Sequence, residues 1–132
     1  MQSIDIADDL GFRLFKTAAD HSFNAITITE AREEGGAGPI IYVNEAFTEM
    51  TGYAASEVLG RSPGMLQGPN TEPEVLKRLA EQIQRRELFH GETVNYRKDG
   101  SEFILEWIVT PVEIDGAVTH YVAIQHDVTG PL

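Results

Sequence analysis

Glu92-Thr93-Val94-Asn95-Tyr96-Arg97, the pair Asp99-Gly100, the long run Glu102 to Ile114, the pair Asp115-Gly116 and the run Val118 to Val128 together decide the fold of this chain. Each long run is rich in β-branched and aromatic residues, and Asp-Gly between two such runs is the strongest short hairpin signal because both residues tolerate positive φ. The C-terminal part therefore predicts three antiparallel strands joined by two tight turns. Upstream, Ala25-Ile26-Thr27-Ile28-Thr29 alternates with the period of a half-buried strand, and Ile40-Ile41-Tyr42-Val43 is a second short strand signal. The small-residue stretch Glu33 to Pro39 between them reads as a hairpin loop.

Helices fall between the two strand groups. Asn44 is a good N-cap for a short helix over Glu45 to Thr51, which Gly52 ends, and Ala54 to Leu59 fits a second one stopped by Gly60. Pro63, Gly64, Gly68 and Pro69 then mark irregular backbone. Thr71-Glu72-Pro73-Glu74 has the spacing of a capping box, and Val75, Leu76, Leu79 and Ile83 form one apolar face of a helix reaching about Glu87. At the N-terminus, Ile6, Leu10, Leu14 and Phe15 lie at roughly helical spacing within Ile4 to Ala19. The order predicts an α+β fold: a five-stranded antiparallel sheet with short helices and one longer helix on one face, plus an N-terminal amphipathic helix. Periodicity alone leaves the strand order open.

A chain of 132 residues, 42% hydrophobic, is the size of one domain with a single core. The formal charge of −11 argues against nucleic acid and against anionic membrane as partners, since both require a surplus of Lys and Arg. No run of 18 apolar residues and no basic-then-apolar leader is present, so a cytoplasmic location is expected. With no cysteine, disulfides and thiolate metal sites are excluded. His21, His90, His120 and His126 lack metal-ligand spacing, and no metal site is expected. No Ser-His-Asp order with a supporting elbow occurs, and Gly35-Gly36 has no helix after it to make a phosphate loop. An enzyme is not expected.

Several segments resemble the PAS family, and its LOV branch in particular. Tyr42-Val43-Asn44-Glu45-Ala46-Phe47 followed by Met50-Thr51-Gly52-Tyr53 resembles the family's second strand and first core helix. Asn95-Tyr96-Arg97-Lys98-Asp99-Gly100, Thr110-Pro111-Val112 and Gln125-His126-Asp127-Val128-Thr129 are similar to later family segments. Most specific is Gly60-Arg61-Ser62-Pro63-Gly64-Met65-Leu66-Gln67-Gly68 with Pro69-Asn70-Thr71-Glu72 after it, which resembles the LOV photoreceptor loop Gly-Arg-Asn-Cys-Arg-Phe-Leu-Gln-Gly. The reactive cysteine of that loop is matched here by Pro63.

The resemblance implies a flavin, FMN or FAD, as candidate cofactor, and its contacts carry over unevenly. Asn95 and Gln125 match carboxamides that face the polar edge of the isoalloxazine, and Gln67 matches the loop glutamine; a carboxamide offers one acceptor and two donors on one planar group. A second strand amide is replaced by Leu105, and two phosphate-facing arginines are replaced by Gly64 and Ala80. Arg78 or Arg61 would compensate only if helix or loop were turned. The period-two rule puts Leu105, Trp107, Tyr121 and Ala123 on the same two inward strand faces as Asn95 and Gln125, so these residues are expected to line one cavity. The competing structural reading has the two amides satisfy each other or a buried water, with Trp107 as core.

If those residues point inward, Ile104, Ile108, Val122, Ile124 and Val128 form an apolar stripe outward, which calls for a covering helix or a partner. The resulting expectation is a sensory and dimerisation PAS module, LOV-like and unable to form a flavin–cysteinyl adduct. It would be a homodimer that precedes an effector in a longer chain. Two alternatives stand beside it: a cysteine-less flavin sensor of light or redox state, and a structural interaction domain without ligand. The expected division is an N-terminal helical cap over 1–21, the PAS domain over 22–129, and a connector or excised end over 130–132.

Overall fold

In the computed structural model the backbone is described for residues 2–129 and the side chains for residues 10–129. The expected Ile4 and Ile6 side chains, and the expected connector over 130–132, lie outside those bounds. The elements are α1 (Gln2–Asp20), β1 (Ala25–Ala31), β2 (Ala37–Val43), α2 (Glu45–Thr51), α3 (Ala55–Val58), a 3-10 turn (Pro63–Leu66), α4 (Pro73–Gln84), β3 (Phe89–Tyr96), β4 (Glu102–Ile114) and β5 (Ala117–Asp127). The strands form one antiparallel sheet in the order β2-β1-β5-β4-β3. β5, the last strand, lies at its centre between β1 and β4.

Each helix boundary has a local cause. Asn44 caps α2 by accepting from the Phe47 amide, and Gly52 closes it in the left-handed region at φ 80°. The capping box expected at Thr71 does not form. Glu72 stands at the N-cap without a side-chain bond, and Pro73 opens α4. The Thr71 hydroxyl instead donates to the Val94 carbonyl at 2.6 Å and accepts from the Gly68 amide at 3.0 Å, tying the loop to β3. α4 also ends at Gln84 rather than near Glu87, because Arg86 takes φ 58° and turns the chain toward β3.

The helices cover the inner face of the sheet in two blocks. Under α4, Ile83 joins Phe89, Phe103, Leu105, Trp107, Val109 and Tyr121. Under α2 and α3, Ala25, Ile40, Val43, Phe47, Val58 and Leu66 make a second cluster, and Met50 packs against both. The Phe89 and Trp107 rings meet at 4.9 Å and 58°. This contact leaves no room at Gly91, where a Cβ would lie 2.3 Å from the Phe89 ring.

β1 reverses the usual sense of alternation. Its inward residues are Ala25, Thr27 and Thr29, all buried, while Ile26 and Ile28 face the outer side and are only half-buried. Ile26, Ile124 and Ile108 stand in one row across β1, β5 and β4. Ile104, Ile108 and Ile124 stay more than a third exposed, so the outward apolar stripe is real. Among the described residues, α1 does not cover it. Its described contacts with the sheet run through Tyr42, which meets the Phe15 ring at 5.5 Å and donates to Asp20 at 2.7 Å, and through Asn44, which donates to the Ala19 carbonyl. Leu10, Phe12 and Leu14 are more than half exposed.

Candidate functional site

A cavity of about 90 Å³ lies beside the block of core under α4, on the inner face of the central strands. Its polar wall is Thr27 and Thr29 of β1 with Gln125 of β5. Its apolar wall comprises Trp107 and Val109 of β4, Tyr121 and Ala123 of β5, and Leu79 and Ile83 of α4. Pro63, at the start of the 3-10 turn, closes one side, and the Ser62 hydroxyl caps that turn by accepting from the Gly64 amide.

Sheet register brings the polar groups together. Thr27 pairs with Ala123 and Ala25 with Gln125, so the Thr27 and Gln125 side chains point inward from adjacent strands. The Thr27 hydroxyl donates to Gln125 Oε1 at 2.7 Å, both side chains being buried. Thr29, one pleat further along, is 4% exposed, and its hydroxyl is the buried side-chain polar atom without a hydrogen-bond partner among the described residues. An orphaned buried hydroxyl costs free energy unless something in the cavity accepts or donates to it.

Of the seven residues expected at the site, Gln125, Trp107, Tyr121 and Ala123 line this cavity. The other three do not. Asn95 is buried on β3 but pairs with Phe103, whereas Gln125 shares its row with Trp107. Four residues along β4 separate those rows, about 13 Å, so the two amides neither meet nor satisfy each other. Leu105 packs into the core with Phe103 and Ile83. Gln67, which closes the 3-10 turn, is exposed and lines an outer groove. Arg78 is not turned toward the cavity: its guanidinium lies 4.8 Å over the Phe89 ring and donates to the His90 carbonyl.

Thr27 and Thr29 escaped sequence reasoning, which read β1 as a half-buried strand from its alternation without assigning its faces. The available signal was the pairing of two threonines on one face with two isoleucines on the other, a pattern that fits a polar-walled cavity behind an apolar outer surface.

The cavity shares wall residues with three outer grooves. One, of about 580 Å³, shares Ala37, Leu79 and Ile83 with it; a second, of about 570 Å³, shares Ile83 and Tyr121; a third, of about 290 Å³, shares Gln125. As it stands, the cavity is below the roughly 300 Å³ of the smallest ligand pockets. Leu79 and Ile83 of α4 line both the cavity and the larger groove.

At the far end of β5, Asp127 Oδ2 meets Arg97 Nη2 at 2.5 Å, and Arg97 also donates to the Met50 carbonyl at the end of α2. Burial works against ionisation of Asp127, but hydrogen bonds from Thr129 and the Arg97 charge outweigh it and hold its pKa below the usual carboxylate value. The residue two positions beyond Gln125 is thus anchored to the β3–β4 hairpin and to α2.

The PAS domain family profile matches residues 24–130, and the chain belongs to that family. Blue-light-activated histidine kinase 1 of Erythrobacter litoralis is 36% identical over 118 residues, 89% of this chain and 32% of the relative. The nitrogen fixation regulatory protein of Klebsiella oxytoca is 32% identical over 117 residues, 88% of this chain and 23% of the relative. The chain therefore spans only a quarter to a third of these relatives. Among solved structures, the LOV domain of the E. litoralis EL346 blue-light activated histidine kinase superposes with a TM-score of 0.74 at 37% identity, covering 81% of this chain and 97% of that one. An RNA-binding light-oxygen-voltage receptor gives a TM-score of 0.79 at 35% identity over 88% of this chain and 32% of that one. The chain is a LOV-like PAS domain, and its α+β fold is the one its sequence predicted.

Proposed function

We propose that this domain is a sensory module whose cavity takes a flavin ring and reports its occupancy or redox state through β5, sensing rather than catalysing. The observation that carries the reading is the buried, unpartnered Thr29 hydroxyl in a cavity that the bonded pair Thr27 and Gln125 also lines and whose remaining walls are mostly apolar. A planar heteroaromatic with polar atoms at separate points of its rim fits that donor set: Thr29 and Gln125, whose rows lie four residues apart along β5, would meet different polar atoms, while Trp107, Val109, Leu79 and Ile83 would flank the faces. When bound, the flavin supplies blue-light absorption and reversible redox chemistry. Similarity to a light-oxygen-voltage domain solved in a study with a flavin analogue, at a TM-score of 0.75 and 32% identity, supports the choice of ligand.

The chain's own residues define what such a sensor lacks. Pro63 lines the cavity where the family loop presents its thiol, and the chain has no cysteine, so no thiol is available to attack a bound ring. The response then runs through Gln125, which Thr27 holds and which sits two residues before the Asp127–Arg97 pair at the end of the sheet. The exposed outer stripe and the exposed apolar residues of α1 support a homodimer, and the relatives' greater length supports an effector in a longer chain. A cytoplasmic location belongs to the same reading; among the described residues no helix is long and apolar enough to cross a membrane.

The absorption spectrum of the purified protein tests the proposal. A three-peaked blue band that disappears into the filtrate on denaturation is the expected result. A colourless protein that also fails to acquire that band when incubated with flavins would leave the structural interaction domain, which the small closed cavity favours.

A further inference from the structure

We infer, resting on the flavin reading, that the ligand is an uncharged isoalloxazine of the riboflavin class and not a flavin phosphate. The ring site is closed on the sheet side, so the tail of a bound flavin must leave by one of the three grooves that share wall residues with the cavity. None offers a net positive charge. The one that shares Gln125 holds Arg97, paired with Asp127, beside Glu49. Of the two that border α4, the larger is lined by one cation, Lys77, and one carboxylate, Glu81. The other is lined by Arg32 and Arg86 together with Glu33 and Glu34, and Arg86 is already engaged with Glu113 at 3.7 Å and with the Gly116 carbonyl at 2.9 Å.

A phosphate emerging from any of these mouths would meet at least as many carboxylates as cations, on a protein whose formal charge is −11. Charge-assisted bonds are the strongest available to a phosphate, and here nothing is arranged to make them without an opposing carboxylate nearby. A neutral polyol tail is better served. Gln67 and Gln84 both line the larger groove, and their carboxamides supply donors and acceptors to hydroxyl groups without charge.

The test is a titration of the ligand-free protein with riboflavin, FMN and FAD, followed by flavin fluorescence at low and high salt. The expected result is riboflavin binding at least as tightly as FMN or FAD, with FMN gaining affinity as salt screens its repulsion. FMN binding about tenfold or more tighter than riboflavin, with affinity falling as salt rises, would overturn the inference while leaving the flavin reading intact. Ala80→Arg places a new cation on the exposed wall of the larger groove and should raise the preference for FMN over riboflavin about tenfold. An unchanged preference would show that the tail does not pass through this groove and would overturn the assignment of its polyol to Gln67 and Gln84, leaving the charge argument to the comparison of riboflavin with FMN. Failure of all three flavins to bind would remove the flavin reading itself.

Discussion

Two threonines on the same face of β1, two residues apart, should respond in opposite directions to the same substitution. Thr29→Val replaces a buried hydroxyl that has no partner with a methyl of nearly the same size. An unsatisfied buried hydroxyl costs about 1–3 kcal/mol, so the ligand-free protein should gain roughly 1–2 kcal/mol. For a domain of this size that corresponds to a rise in Tm of roughly 3–8 °C. Thr27→Val removes the donor to Gln125 Oε1 and leaves a buried carboxamide without its 2.7 Å partner, which should cost roughly 1–3 kcal/mol and lower Tm. Ligand affinity should fall for both variants, by about tenfold for each 1.4 kcal/mol of lost interaction. Thermal and urea unfolding of the ligand-free proteins, with ligand titration alongside, reads all of these. Destabilisation by Thr29→Val would mean that its hydroxyl is satisfied in the folded chain, and the cavity would lose the observation on which its ligand rests.

Three further outcomes follow from other contacts. Asn44 is buried, accepts from the Ile26 and Phe47 amides, and donates to the Ala19 and Asn24 carbonyls, so Asn44→Ala removes a helix cap and orphans three further backbone groups; urea unfolding should show a loss of ~3–4 kcal/mol. Because the Asp127 pKa is lowered in the folded state, its stabilisation is present above the unfolded value and is lost as pH falls through the folded one; Asp127→Asn should be less stable than the parent at neutral pH and lose less on acid titration, and parallel acid curves would contradict this. Ile108→Glu places a charge in the middle of the row Ile26, Ile124, Ile108 and should convert a dimer to monomer in light scattering with little change in Tm; a parent protein that is already monomeric at high concentration would reject the outer sheet face as an interface.

The strands of the C-terminal part were legible because Asp99-Gly100 and Asp115-Gly116 specify local turns, and a tight turn sets the register of the strands beside it without help from distant chain. Asn44 and Gly52 were legible as caps for the same reason: each acts on backbone within four residues. The Thr71 capping box was misleading because Val94, 23 residues away, offered its hydroxyl a better acceptor once β3 was in place. Alternation told correctly that Gln125, Trp107, Tyr121 and Ala123 face inward, since period two is a property of a strand by itself. Whether inward residues share a cavity depends on row as well as face. Rows are set by pairing between strands, and pairing put Asn95 opposite Phe103 and Leu105 opposite Thr93 and Asp127, away from Gln125. The central place of β5, the meeting of Thr27 with Gln125 across 98 residues of chain, and the isolation of the Thr29 hydroxyl all required the closed sheet and the two blocks of helices above it. Local chemistry determined the elements and their faces, and only long-range pairing and packing determined which faces became a site.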